Sequence, residues 1–313
     1  MVVRRLIGYM KPHRKPLTIA FTLLLFATAC DVIGPKLVQV FIDDYLTPRN
    51  FDRASILWLA GTYLFLHFAG VVLKYYQLLW FHKIAQWIIQ QLRIDVFGKV
   101  QHLGLAFFDK TPAGALVSRI TNDTEAIKDL FVSVLSTFVQ NIVFLIGIFA
   151  MMFFLNVKLA LYCLVLLPII LGVMAVYRHY SSKIYHVSRH KLSQLNAKLN
   201  ESISGMNIIQ AFRQEDRMRR EFGQTNHEHY MANFKNIKLN GFLLRPAIDL
   251  LYMIALMGVL SFFGIESFGG VVEIGVLYAF LNYLDRFFQP VIDMMVHLAQ
   301  MQQALVSAER VFE

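Results

Sequence analysis

Eight ionisable residues fall within otherwise apolar stretches of the chain: Asp31, Lys36, His67, Lys74, Asp249, Asp285, Arg286 and Asp293. A charge in hydrocarbon costs several kcal/mol unless it faces a cavity, a partner charge or a ligand. Side chains placed this way can bind a solute, although they can also pair among themselves and serve only the fold. Asp31, His67, Asp285, Arg286, Gln289 and Asp293 are the candidate lining of a polar cavity. The other reactive residue types do not assemble into a catalytic or metal centre. His186 and His190 are spaced i, i+4, and His227-Glu228-His229 follows, but two helical histidines without a third ligand in register are ordinary surface residues. No HExxH pattern and no supported Ser/His/Asp order is present. A phosphate loop, GxxxxGK[ST], holds phosphates on the backbone amides of a glycine-rich turn. Here Gly98-Lys99 has Arg93 at the first glycine position and Val100 after the lysine. The one Gly-Gly pair, Gly269-Gly270, falls in an expected outer turn. The sequence therefore predicts no catalytic, metal or cofactor-binding residue in this chain.

The elements that must position these residues are membrane helices. Of 313 residues 57% are hydrophobic and only 16% charged, at a mean hydropathy of +0.50, which is too apolar for an ordinary soluble domain. Residues 159–177 carry no charge, nor do residues 142–155, and about 20 apolar residues span a bilayer. The net charge of +9 raises the possibility of nucleic acid, but its distribution argues against that. Of the 30 Lys and Arg, 24 fall on one expected side of the membrane, with Arg49, Arg53 and Lys158 on the other. This asymmetry follows the positive-inside rule and puts both termini and the large loops in the cytoplasm. Cys30 and Cys163 both lie in expected spans and form no disulfide framework. The basic start is followed by too long an apolar run, with no small-residue cleavage site, for a signal peptide.

Taken in order, residues 1–16 form a basic elbow helix at the membrane surface, the alternative being a disordered arm. Spans follow at about 17–41, 56–81, 131–155, 159–177, 247–265 and 271–298. The second span continues as helix to about residue 103, roughly 33 Å at 1.5 Å per residue. The fourth continues for roughly 39 Å, with Tyr177, Tyr180, Ile184, Val187, Leu195, Leu199 and Ile203 forming one apolar stripe. Each extension ends in a punctuated run. In the first, Thr111 before Pro112 reads as an N-cap with proline at the first helical position, opening a short helix at 113–120. Asn122 with Glu125 reads as a capping box that starts the next long helix. In the second, Gly205 breaks the extension ahead of a short helix at 207–212. The similar lengths predict two contact points at similar depth on one soluble partner.

These punctuated runs also carry a family likeness. Gly114-x-Leu116-x-Ser118-Arg119-x-x-Asn122-Asp123 resembles the first intracellular loop of ABC exporters, where the short helix is the first coupling helix. The likeness continues through Glu201-Ser-Ile-Ser-Gly205-Met-Asn-Ile-Ile-Gln-Ala-Phe212-Arg-Gln-Glu215 and Gly241-Phe-Leu-Leu-Arg245-Pro246 to Ser307-Ala-Glu309-Arg310-Val-Phe-Glu313. It covers essentially the whole chain and is nearest to bacterial multidrug-resistance-like half-transporters of the Mdl type. The resemblance implies an all-α membrane protein of the type IV (type 1 exporter) fold, with six transmembrane helices and long cytoplasmic extensions. It implies an elbow helix at 1–16, a transmembrane domain at 17–298 with intracellular loops 82–130 and 178–245, and the start of a linker to a nucleotide-binding domain at 299–313. The first coupling helix would comprise Thr111, Ala113, Gly114, Leu116, Ser118, Arg119, Asn122 and Asp123. The second would comprise Gly205, Asn207, Ile208, Gln210, Phe212 and Glu215. The implied partners are nucleotide-binding domains, membrane lipid and a second half-transporter, in a heterodimer, with the fourth and fifth helices crossing to the partner's side. ATP and Mg would act in the full-length protein, in a bacterial inner membrane, and no nucleic acid is expected.

Two other classes remain open on sequence. A secondary transporter or channel would need its own ion-coupling or pore site, and a membrane sensor or scaffold would relay a signal without transport. The topology is directly testable: with Cys30 and Cys163 replaced, a cysteine at Asn50 labels from outside intact cells and one at Gln194 only from inside. The reverse pattern would invert the assignment.

Overall fold

The computed structural model describes residues 2–109, 112–268 and 273–312, and every regular element among them is helical. The helices are α1 (Val2–Met10), α2 (Arg14–Val40), α3 (Arg53–Gln101), α4 (Leu105–Phe108), α5 (Ala113–Ser118), α6 (Thr124–Asp129), α7 (Ser136–Leu155), α8 (Val157–Ser204), α9 (Met206–Ala211), α10 (Glu215–Leu239), α11 (Arg245–Ser267) and α12 (Ile274–Phe312). Wider π turns continue α2 through Phe41–Leu46 and join α5 to α6, α6 to α7, and α10 to α11. Among the described residues, five helical stretches are long and apolar enough to cross a membrane: Arg5–Leu46, Arg53–Gln101, Leu116–Leu155, Val157–Ser204 and Glu215–Ser267. The chain is thus a multi-pass membrane protein. The expected sixth span falls in α12, which is 39 residues long. It fails the same measure because Asn282, Asp285, Arg286, Gln289 and Asp293 interrupt its apolar run.

The chain divides into two compact units, residues 1–161 with 256–313, and residues 162–255. In the first, α2 and α3 run antiparallel: Phe21 meets Phe81 edge-on, while Gly70 comes so close to α2 that a Cβ there would lie 3.3 Å from Cys30 Cβ. Gly147 brings α7 equally close to Val32. Tyr283, Phe280 and Phe287 of α12 fill the interior.

The C-terminal part of α3 is not a bare rod. Ile84, Ala85, Ile88, Ile89 and Leu92 are buried with Leu6, Ala20, Ile127, Phe131 and Ala308 in one cluster. Fully burying an aliphatic side chain contributes roughly 1.5–3 kcal/mol, so this cluster fixes the extension in place. Helix α1 docks on it. Leu6 is buried, the Tyr9 hydroxyl donates to Asp95 Oδ2 at 2.8 Å, and the Arg5 guanidinium lies over the Phe312 ring. Burial and the neighbouring Asp95 carboxylate push the Tyr9 phenol up to about 12.

The second unit holds most of α8 with α10, packed antiparallel along a polar seam. Ser188 Oγ donates to Asn233 Oδ1, Lys191 Nζ pairs with Glu228 at 2.6 Å, and Lys198 Nζ donates to the Glu221 carbonyl at 3.2 Å. The Lys191 ammonium holds the Glu228 carboxyl below its ordinary range. The apolar stripe on α8 is not what joins these helices: Tyr180, Val187, Leu199 and Ile203 are exposed in this chain.

Where α2 runs on into its π turn, Asp43 Oδ1 accepts from the Gly275 amide at 2.7 Å and Oδ2 accepts from Gln39 Nε2 at 2.9 Å. A Cβ at position 275 would come within 2.5 Å of the Gln39 carbonyl and 2.6 Å of the Asp43 carboxylate, so only glycine fits. Gly275→Ala should therefore destabilise the protein by about 1–3 kcal/mol, the usual range for overpacking, read as a lowered detergent-melting midpoint. An unchanged midpoint would show that this junction yields freely.

Candidate functional site

Polar residues of four helices converge on one cleft in the first unit, of about 340 Å³. Asp31 of α2, Lys74 and Gln77 of α3, Asn141 of α7, and Arg286, Gln289 and Asp293 of α12 line it, alongside apolar Leu24 and Phe144. Its geometry begins with a backbone defect. Pro35 has no N–H, so the Asp31 carbonyl one turn earlier lacks its helical donor. Arg286 Nη1 supplies one from α12 at 3.1 Å. One turn away, the buried Tyr283 hydroxyl donates to the Val32 carbonyl at 2.7 Å. Helix α12 has its own proline, Pro290, whose carbonyl accepts from Asn141 Nδ2 of α7 at 3.2 Å. Three helices are thus tied together by side chains reaching backbone oxygens, two of these bonds being buried.

Of the six cavity residues expected from sequence, the structure brings together Asp31, Arg286, Gln289 and Asp293. It does not bring in the other two. Asp285 is exposed and absent from this lining, and His67 is exposed with its ring 6.4 Å from that of Tyr63. Lys74 joins the cleft, as do the carboxamides of Gln77, Gln140 and Asn141. The carboxamides had a readable signal, since each interrupts an apolar face, but attention to formal charge alone passes over them. Among the described residues no group of three His, Cys, Asp or Glu is placed to hold a metal ion.

Both short helices are present, with shifted limits: α5 at Ala113–Ser118 and α9 at Met206–Ala211. Thr111 lies outside the described residues, so its capping role is untested. The capping box does not form. Asn122 Nδ2 donates to Ser118 Oγ at 3.2 Å, and Glu125 is taken by Arg93 of α3 at 2.8 Å and by Lys128. With Glu125 engaged there, the chain passes from α5 through the π turn Arg119–Asp123 into α6 without a break. Arg93 Nε also donates to Thr124 Oγ1 at 2.9 Å, and Arg310 of α12 approaches Asp123 at 3.7 Å. Leu116 is buried, whereas Gly114 stands in open space and Val117 is exposed. In the second loop, Gly205 opens α9, and Arg213 takes the left-handed φ of 50° that turns the chain toward Glu215 and α10. Ile208 and Phe212 project into solvent at 65% and 72% exposure, while Asn207 and Gln210 share the same short helix.

Comparison with known proteins places this architecture. The family model of the ABC transporter transmembrane region matches residues 17–291. The chain is 37% identical, over 99% of its length, to a multidrug resistance-like ATP-binding protein MdlB of Buchnera aphidicola from Acyrthosiphon pisum, of which it covers 53%. It is 44% identical over 73% of its length to a probable multidrug resistance ABC transporter ATP-binding/permease protein, YheH, of Bacillus subtilis, covering 34% of it. It is 27% identical over 99% of its length to an ATP-dependent lipid A-core flippase of Desulfotalea psychrophila, covering 54%. The chain thus spans about half the length of the curated relatives it matches along its whole extent.

The proline defect makes a quantitative prediction. Arg286→Met leaves the Asp31 carbonyl without a donor, whereas in a Pro35→Ala background the restored N–H already occupies it. A double-mutant cycle on detergent unfolding should give a coupling of about 1 kcal/mol between positions 35 and 286. Additive effects would mean that Arg286 does not serve that carbonyl.

Proposed function

The chain belongs to the family of ABC transporter transmembrane regions, and on that premise we propose that it is the substrate-translocating domain of an ATP-driven exporter of amphipathic molecules. The observation that carries this reading is the charged cleft between α2, α3, α7 and α12, placed among long apolar helices in which charge is sparse. In this reading α12 is the sixth span, its polar residues being the cost of lining a translocation path. Both termini are cytoplasmic and the membrane is a bacterial inner membrane, as the Lys and Arg asymmetry supports.

Helices α5 and α9 act as coupling helices that dock on nucleotide-binding domains. Exposed Val117, Ile208 and Phe212 support this role, since apolar side chains at the tips of otherwise polar loops suit a protein partner. The free energy comes from ATP with Mg, held by nucleotide-binding domains outside this chain. The working unit pairs this domain with a second half-transporter, in a heterodimer as the Mdl-like relatives suggest. Residues 162–255, with most of the fourth span and about half of the fifth, form a compact unit of their own, which supports a body that engages that partner. Transport then proceeds by rigid-body alternating access, the cleft opening first inward and then outward.

The test uses the full-length transporter in proteoliposomes. Cysteines at Ser118 and Asn207 should crosslink to a nucleotide-binding domain. Gly114→Pro and Gly205→Pro should each retain ATP hydrolysis while losing most ATP-driven efflux of an amphiphilic dye. Intact efflux in both variants, with no crosslink at either site, would reduce the two loops to simple turns.

A further inference from the structure

The cleft holds two cationic and two anionic side chains, and they do not neutralise one another. Among the described residues, the Asp31 carboxylate and the Lys74 ammonium form no hydrogen bond or ion pair, although both line the same space. The Arg286 guanidinium donates to a backbone carbonyl and has no carboxylate within ion-pair distance among the described residues. Asp293 accepts from the Gln289 amide at 2.9 Å and, among the described residues, meets no base. A cleft serving stability alone would pair these charges with one another, whereas here Lys74 and Arg286 stand exposed on the open space and Asp31 and Asp293 are half-buried beside them. One further group is unsatisfied: Gln77 is 1% exposed, and its Nε2 is buried without an acceptor on the wall of the same cleft.

From this arrangement we infer that the cleft is a site for an amphiphile whose head group carries both signs of charge, a zwitterion. The inference rests on the exporter reading above and names the class of its substrate. The cationic end of the head group sits against Asp31 and Asp293. Its acidic oxygens face Lys74 and Arg286, and the Gln77 amide supplies a further donor. A purely cationic ligand leaves Lys74 and Arg286 uncompensated, and a purely anionic one leaves the two carboxylates so. Leu24 and Phe144 offer apolar surface to the tail. The volume of about 340 Å³ lies within the range of small-molecule sites and suits a compact head group rather than a whole lipid.

The experiment uses the full-length transporter in the non-ionic detergent dodecyl maltoside, with three probes sharing one tail. These are dodecylphosphocholine, dodecyltrimethylammonium and dodecyl phosphate, each added below micellar concentration. Binding is read by thermal stabilisation and by stimulated ATP hydrolysis, and ATP-driven transport is followed separately in proteoliposomes. The zwitterion should bind about tenfold tighter than either singly charged probe, a difference of about 1.4 kcal/mol. Lys74→Gln should shift the preference toward dodecyltrimethylammonium, and Asp31→Asn toward dodecyl phosphate. Gln77→Leu should weaken dodecylphosphocholine while leaving the unliganded melting midpoint unchanged or higher, because it removes an unsatisfied buried donor. Equal binding of the three probes, or a ranking untouched by the charge variants, would overturn the assignment even if ATP-driven transport of the probes persists. The expected ranking without ATP-driven transport of any probe would uphold the site and count against the exporter reading instead.

Discussion

Inside a bilayer a backbone carbonyl that loses its helical donor finds no water to replace it. The Asp31 carbonyl, freed by Pro35, is the point on which the membrane part of the first unit turns. By donating to it, Arg286 acquires a fixed position that an arginine in an apolar span would otherwise lack. That contact brings the polar face of α12 alongside α2, and Tyr283 reinforces it on Val32 one turn away. Asn141 donates to the Pro290 carbonyl and brings in α7. Side chains that reach backbone oxygens thus bind these helices to each other. A charged cleft is the consequence, because the group best able to satisfy the carbonyl brings a full charge with it.

The helical extensions follow a different physics. The first is held by hydrophobic burial. The aliphatic ladder from Ile84 to Leu92 joins Leu6, Ile127 and Ala308, so α1, α3, α6 and α12 form one packed body leading up to α5. The Arg93 pair to Glu125 ties α6 to the same body. The second extension is joined through Ser188, Lys191 and Lys198, a seam of polar contacts that are individually weak and can re-form after sliding. Its apolar stripe stays open, which fits a surface meant for another chain.

Much of this was legible in the sequence. The spans, the long extensions and both short helices follow from run length, periodicity and breakers, because these are local properties. Asp31, Arg286, Gln289 and Asp293 stood out because charged and amide groups in apolar runs are few. What sequence could not give was pairing across the fold. The capping box at Asn122 and Glu125 was a sound local pattern, yet Arg93, about thirty residues earlier, takes Glu125. His67 and Asp285 satisfy the same compositional rule as the cleft residues but face elsewhere, since a helix places successive residues on different sides. The role of Pro35 is invisible until α12 lies beside it, for the proline predicts a bend while the carbonyl it frees predicts nothing by itself.

The central claim is that the cleft beside Arg286 alternates between the two sides of the membrane. The most direct measurement places a single cysteine at Gln289 in the full-length transporter, with Cys30 and Cys163 replaced, and follows its reaction with a membrane-impermeant thiol reagent. Without nucleotide the thiol should react from the cytoplasmic side alone. When the transporter is trapped with ATP and vanadate, reactivity should pass to the external side. Reaction from one unchanging side in both states would contradict the account, whatever the ATPase activity.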